Sequence, residues 1–332
     1  MSNFFESVKK AIQIPALAHV YALDLDRQLK YAGKKPITFS AFGFSESPVE
    51  LLDNLDESIF LRADALPQNA IYQAEMLVKE GKRSEALAHA FSHAQGLQIH
   101  ALNLFYANYA TERPELRLHY LNKYLSAHGL RIDLAPDEAS PFFHRLRCNH
   151  TSNKVDGPLV TVIMPAHNAE GTIELAVDSL LNQTWQNLQI IVVDDASTDG
   201  TLQKAKDLAK RDPRVEVHSS SDNVGPYVCR NLGVLHTRGQ WLTVHEADDW
   251  AFPDRIEQQF KALTAANALA CTGCMLRMNE QGQITRPIAS VSTAQDGYLR
   301  LYFASLMVQT AYFRNVLGAW DSVRVGGDAE LI

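Results

Sequence analysis

Residues 188–201 read LQIIVVDDASTDGT, and this run decides the fold. Leu188, Ile190, Ile191, Val192 and Val193 form an apolar, largely β-branched stretch with little polar alternation. That texture predicts a strand covered on both faces, as in a parallel sheet. The strand stops against Asp194 and Asp195, and Ser197 to Gly200 then suit a turn capping a helix that starts near Thr201. Upstream, LVTVIMPAHN (159–168) has the same texture. Between the two runs, Ile173, Leu175, Ala176, Leu180 and Leu181 recur at helical spacing. Strand, helix, strand is the unit of a parallel α/β sheet, and WLTVHEADD (241–249) adds another strand ending in acids. Ligands of such sheets gather at the carboxyl ends of the strands, where the polar residues of this region fall.

The N-terminal part has a different texture. In NAIYQAEMLVKEGKRSEALAHAFSHA (69–94), Ala70, Ala74, Leu77 and Val78 keep helical spacing until Gly81. Ser84 then opens a second helix with Ala86, Leu87, Ala90 and Phe91 on one face, so a helical hairpin is predicted. Its turn resembles a tetratricopeptide unit, but only one copy is legible, and a solenoid needs about three. ALNLFYANYA (101–110) and ELRLHYLNKYLSAHGL (115–130) continue the helical theme. The expected organisation is a small all-α domain over 1–134, a linker over 135–157 with a short anchor helix around Phe142, Phe143 and Leu146, and an α/β domain over 158–332.

With 46% hydrophobic and 21% charged residues, the 332-residue chain has the composition of a folded protein. A net charge of -7 argues against nucleic acid as a partner, since no excess of Lys and Arg exists to displace phosphate counterions. Four scattered cysteines do not make a disulfide framework and suit a reducing cytoplasm. The pair Cys271 and Cys274 reads as buried packing, and His93, His100, His119 and His128 match no tight metal-ligand spacing. The opening MSNFFESVKKAIQ lacks a signal-peptide core, and no apolar run approaches the ~20 residues of a membrane helix. A cytoplasmic protein is expected, with peripheral attachment at the inner face of the membrane left open.

Three constellations carry chemistry. Asp194 and Asp195 sit where a carboxylate can accept from a ribose hydroxyl or a base N–H, although capping alone accounts for Ser197 to Gly200. Glu246, Asp248 and Asp249 place three carboxylates in four positions. A hard divalent cation, Mg2+ or Mn2+, would neutralise such a cluster; an acidic turn capping the next helix is the alternative. In DNVGPYVCRN (222–231), Asn223 and Gly225 make a turn, and Arg230 follows on a helix from which a guanidinium reaches phosphate bidentately or simply faces solvent.

PLVTVIMPAHNAEGTI (158–173), SLLNQTWQNLQIIVVDDASTDGT (179–201), NVGPYVCRN (223–231), EADDW (246–250) and TAYFRNVLGAWDSVRVGGDAEL (310–331), in this order, resemble the family 2 glycosyltransferases. The resemblance covers roughly residues 158 to 332 and implies the GT-A fold, a Rossmann-like, mostly parallel sheet flanked by helices. It also implies an inverting transfer from a nucleotide-diphosphate sugar, with a UDP-sugar favoured, to a hydroxyl of a glycan or other acceptor in surface polysaccharide synthesis. By the same resemblance, Pro165 and His167 line the base, Asp194 and Asp195 contact base or ribose, and Arg230 stands near the donor's uracil and phosphates. Glu246 and Asp248 stand at the D-x-D, with Glu246 on the donor, Asp248 as metal ligand and Asp249 adjoining. Asp328 stands at the catalytic base, ahead of Glu330. In two respects the chain departs from the pattern: Glu246 is a methylene longer than the usual Asp, and Ile332 follows the base closely where family members continue with helices that close the acceptor site. A domain shortened at its C-terminus is therefore expected.

Two other readings stand beside this one. A nucleotidyltransferase would open with a Gly-rich, Arg-containing loop, whereas PAHNAEGTI (165–173) has one Gly and no Arg. An inactive sugar-nucleotide-binding domain coupled to a helical module that recruits a protein partner is the other, favoured by Glu246 and the early end.

Overall fold

A computed structural model describes residues 10–19, 70–94, 98–109, 113–148, 153–285 and 297–320. The chain divides into two compact units: residues 1–12, 49–149 and 275–301 form the first, and residues 13–48, 150–274 and 302–332 the second. The N-terminal segment departs from the helical expectation, because β1 (Lys10–His19) is a strand. Pro15 lies in its middle, removing an amide donor and disfavouring helical geometry at Ile14.

The first unit contains α1 (Ala70–Lys79), α2 (Arg83–His93), α3 (Gln98–Tyr109) and α4 (Pro114–Ser126). Ala70, Ala74, Ala86 and Ala90 are all buried, so small side chains let the first two helices approach closely. Between them Gly81 takes φ 79°, and the Lys82 amide donates back to the Leu77 carbonyl at 2.9 Å. A Cβ at Gly81 would meet nothing, so glycine serves the left-handed turn and not a close approach. A two-stranded ladder of β2 (Asp133–Leu134) and β3 (Leu146–Arg147) encloses a 3-10 turn at Phe142–Arg145 whose two phenylalanines are buried. Residues 275–301 belong with the helices through polar ties. Asn108 donates to the Ile284 carbonyl and accepts from its amide, both at 2.7 Å, and Arg117 donates to Gln281. The Glu75 carboxylate accepts from Tyr109 on one oxygen and Tyr298 on the other.

In the second unit, β4 (Val160–Ala166), α5 (Ile173–Leu181), β5 (Leu188–Asp195), α6 (Thr201–Arg211), β6 (Val215–Ser220), α7 (Pro226–Leu235) and β7 (Trp241–Val244) alternate. Then come β8 (Trp250–Ala251), α8 (Arg255–Ala266), β9 (Ala270–Met278) and β10 (Arg300–Gln309). The sheet runs β6-β5-β4-β7-β10-β9-β1-β8. β4, β5, β6 and β7 are parallel, and β10 lies antiparallel to β7. This is the mixed α/β fold with a mostly parallel sheet that the apolar runs predict. Every residue of β4 and β5 is buried, and α5, α6 and α8 pack Val177, Leu180, Ala205, Ile256 and Leu263 on one face. On the other face α7 lies so near β4 that a Cβ on Gly233 would stand 2.5 Å from the Ile163 side chain. Cys271 and Cys274 are buried on β9, as expected for packing residues. No helix among the described residues is long and apolar enough to cross a membrane.

Burial dominates the environment of Glu75 and raises its pKa above the ordinary 4.5, against the opposing hydrogen bonds of Tyr109 and Tyr298. The folded state then holds a proton that the unfolded state releases, so stability from this group is complete below about pH 4.5 and is lost as pH rises through the folded value. Glu75→Gln is expected to flatten that slope: melting temperatures of parent and variant should diverge in the variant's favour as pH rises from 4.5 towards 7.

Candidate active site

The strand register sets the site. Ala166 pairs with Asp194, Asp194 with Ser219 and Asp195 with Ser220, so β4, β5 and β6 end together. The β4–β7 ladder ends three residues earlier, at Ile163 and Val244, and the His245 amide donates to the Ile163 carbonyl at 3.0 Å. Pro165, without an N–H, is buried beyond that ladder, where no donor is needed towards β7.

Asp195 is the knot of the edge. Its carboxylate accepts the Val224 amide at 2.7 Å and the Gly225 amide at 2.9 Å, holding the turn that starts α7. Gly225 has φ 91°, a backbone that a side chain would strain. The Asp195 carbonyl lies 2.7 Å from His167 Nδ1, and Asn223 Nδ2 lies 3.1 Å from the same nitrogen. His167 is exposed, whereas Asp195 is buried. Asp194 is buried as well; one of its oxygens accepts the Ser197 amide at 3.2 Å, and the other has no hydrogen-bond partner among the described residues. Ala196 between them takes a left-handed φ of 51°, which costs about 1 kcal/mol for a non-glycine residue and turns the chain back over Asp194. Farther out, Asn168 accepts from Thr198, Ala169 donates to Thr201, and Gly200 donates to Glu170, lacing the two loops together.

Arg230 is not the solvent-facing arginine of the bland alternative. It is buried on α7, donates from Nη2 to Glu246 Oε1 at 2.5 Å, and has its guanidinium carbon 4.6 Å from the Tyr227 ring centroid and 5.8 Å from that of Trp320. Trp320 is fixed by Asn231, whose amide donates to its carbonyl at 2.8 Å and accepts from its N–H at 2.9 Å.

After Glu246 the chain turns, with the Asp249 amide donating to the Glu246 carbonyl at 3.2 Å. Asp248 is half-buried, and Asp249 is buried and accepts the Tyr302 hydroxyl on Oδ2. Burial first, then Asp249, Glu246 and Asp248, hold the Tyr302 phenol well above its ordinary pKa, so it stays a neutral donor. Among the described residues no three His, Cys, Asp or Glu side chains gather into a metal-holding group. Oxygen ligands from one or two carboxylates do fit a divalent cation whose remaining ligands are phosphate oxygens and water.

Contacts thus run unbroken from His167 through Asp195 to the start of α7, and from Arg230 on that helix through Glu246 to the acidic turn. Asp328 and Glu330 lie outside the described residues. Sequence reasoning missed Tyr227, Trp320, Tyr302, His245 and Arg255. Only Arg255 left a local signal: a cation in the first turn of α8, where the helix dipole favours an acid.

An α/β domain with acids and an arginine at the carboxyl edge of its strands is the class that fold and site define. Residues 161–317 match the family model described as Glycosyl transferase family 2. A glycosyltransferase of Haemophilus influenzae is 35% identical over 102 residues, 31% of this chain and 41% of that protein. The succinoglycan biosynthesis protein ExoO of Rhizobium meliloti is 34% identical over 138 residues, 39% of each chain. The chain thus spans about two fifths of the length of these relatives. Residues 1–349 of S. aureus TarS, solved in complex with UDP, align at 18% identity and a TM-score of 0.40, covering 51% of this chain and 52% of that one.

Two substitutions test the edge. Asp195→Ala strips acceptors from two amides and is expected to cost about 2 kcal/mol or more in denaturant unfolding, with Asp195→Asn intermediate. Glu246→Ala removes a carboxylate held against the buried Arg230 guanidinium, for an expected loss of about 3 kcal/mol in the same measurement.

Proposed function

We propose that this chain transfers a sugar, with inversion, from a nucleotide-diphosphate donor to an acceptor hydroxyl, and that the donor is UDP-linked. The observation that carries the reading is the bonded run along the sheet edge from His167 and Asp195 to Arg230, Glu246 and the acidic turn. The unmet oxygen of buried Asp194 supports a ligand with N–H or O–H groups at the end of β5, as a base or ribose has. Pro165 and His167 would line the base.

In this mechanism Asp328 accepts the proton of the attacking hydroxyl as the new bond forms at the anomeric carbon. Arg230, already desolvated, offsets negative charge growing on the departing diphosphate. Asp248, with Asp249 adjoining, would hold a divalent cation, Mn2+ or Mg2+, which supplies further charge neutralisation at the leaving group when bound. The family match and the similarity to ExoO, a succinoglycan biosynthesis protein, support a role in polysaccharide assembly. A protein partner or polymer held by the helical unit completes the proposal.

The test is a panel of nucleotide sugars with Mn2+ present and absent, reading release of the nucleoside diphosphate. Asp328→Asn should lower transfer about 10²- to 10⁴-fold with donor binding retained. Asp248→Ala should weaken metal-dependent donor binding as well. Turnover of both variants at the parental rate would refute these roles, and pyrophosphate release would indicate nucleotidyl transfer instead.

A further inference from the structure

The acidic turn rests on a buried layer that the proposed chemistry does not use. Arg255 is 2% exposed, and no carboxylate among the described residues lies within ion-pair distance of it. Its guanidinium is met by neutral acceptors instead: Thr243 Oγ1 at 2.8 Å, the Val244 carbonyl at 2.9 Å, Gln259 Oε1 at 3.1 Å and the Ser305 carbonyl at 3.4 Å. His245 Nδ1 lies 3.3 Å from Arg255 Nη1. Burial and this neighbouring cation keep the imidazole neutral, so Nδ1 can accept from Arg255. Burial lowers the Arg255 pKa to about 10, while Tyr302 and Asp249 oppose the fall, so a cation stands close behind these two residues.

Asp249 is 2% exposed and Tyr302 6%, and the bond between them joins the turn to this layer. For the Asp249 carboxylate to swing out towards a cation beside Asp248 it must leave the phenol, stranding a buried O–H. Trp250 and Ala251, both buried, follow at once and restrain any such rotation.

Resting on the sugar-transfer reading of this site, we propose that Tyr302 is a positioning residue. It draws the Asp249 carboxylate inward as the anchor of the turn, so that Asp248 alone of the pair meets the divalent cation and the donor phosphates. Asp249 is then structural support for the cation site and not one of its ligands.

The experiment measures Mn2+ binding to the full chain by electron paramagnetic resonance of the free ion, with and without UDP, alongside thermal melting. Tyr302→Phe keeps the ring and removes the hydroxyl; it is expected to weaken Mn2+ binding about 10- to 100-fold, the usual effect of losing such a supporting partner. Asp249→Asn retains an oxygen that accepts from Tyr302, and should keep Mn2+ binding within a few-fold of the parent, whereas Asp248→Asn should abolish it. Equal loss in Asp249→Asn and Asp248→Asn, with cooperative melting preserved, overturns the proposal, as does parental Mn2+ affinity in Tyr302→Phe. Parental affinity in Asp248→Asn would instead remove the cation site itself, and the anchor role with it.

Discussion

A carboxylate at the end of one strand that receives two amides from a distant loop is the constraint on which this edge depends. Asp195 does this for Val224 and Gly225, and so decides where α7 begins. Once the helix start is fixed, helical geometry carries Arg230 to the side of the sheet where Glu246 leaves β7. Placing a guanidinium against a carboxylate therefore needs no long loop. It needs one strand-end acid and one left-handed glycine.

Charge at the edge is organised in pairs and layers. Glu246 is met by Arg230, Asp249 by a neutral phenol, and Arg255 stands behind them among neutral acceptors. An ion pair this well shielded contributes little net stability relative to apolar packing, but losing one member is expensive. The arrangement defines geometry more than it adds stability. The extra methylene of Glu246, which from sequence alone suggests an altered ribose contact, has a second meaning here, because its carboxylate lies against Arg230.

Local pattern made much of this legible. The runs at 159–168, 188–195 and 241–244 are apolar on both faces because they are interior parallel strands, and the acids that close them mark the sheet edge. Gly81 and the alanines around it announced the hairpin for equally local reasons. What stayed hidden depends on residues far apart in sequence. Residues 275–301 join the helices through Asn108 and Glu75, which reach Ile284 and Tyr298 at separations of 176 and 223 positions. Tyr302 reads as one more strand residue until it is found against Asp249. Lys10–His19 was hidden differently, since a strand of mixed composition containing a proline resembles a loop. The assigned roles of Pro165, His167, Asp194, Asp195, Arg230 and Asp248 came from resemblance, and the structure adds their surroundings.

Gly233 has a mechanical meaning beyond its packing. A helix pressed onto a strand until a single added carbon would overlap Ile163 has no slack in which to slide. Arg230 rides on that helix, so its guanidinium can travel only by torsion of its own side chain. The seating of α7 on β4 thus fixes where the Arg230 backbone stands beside Glu246.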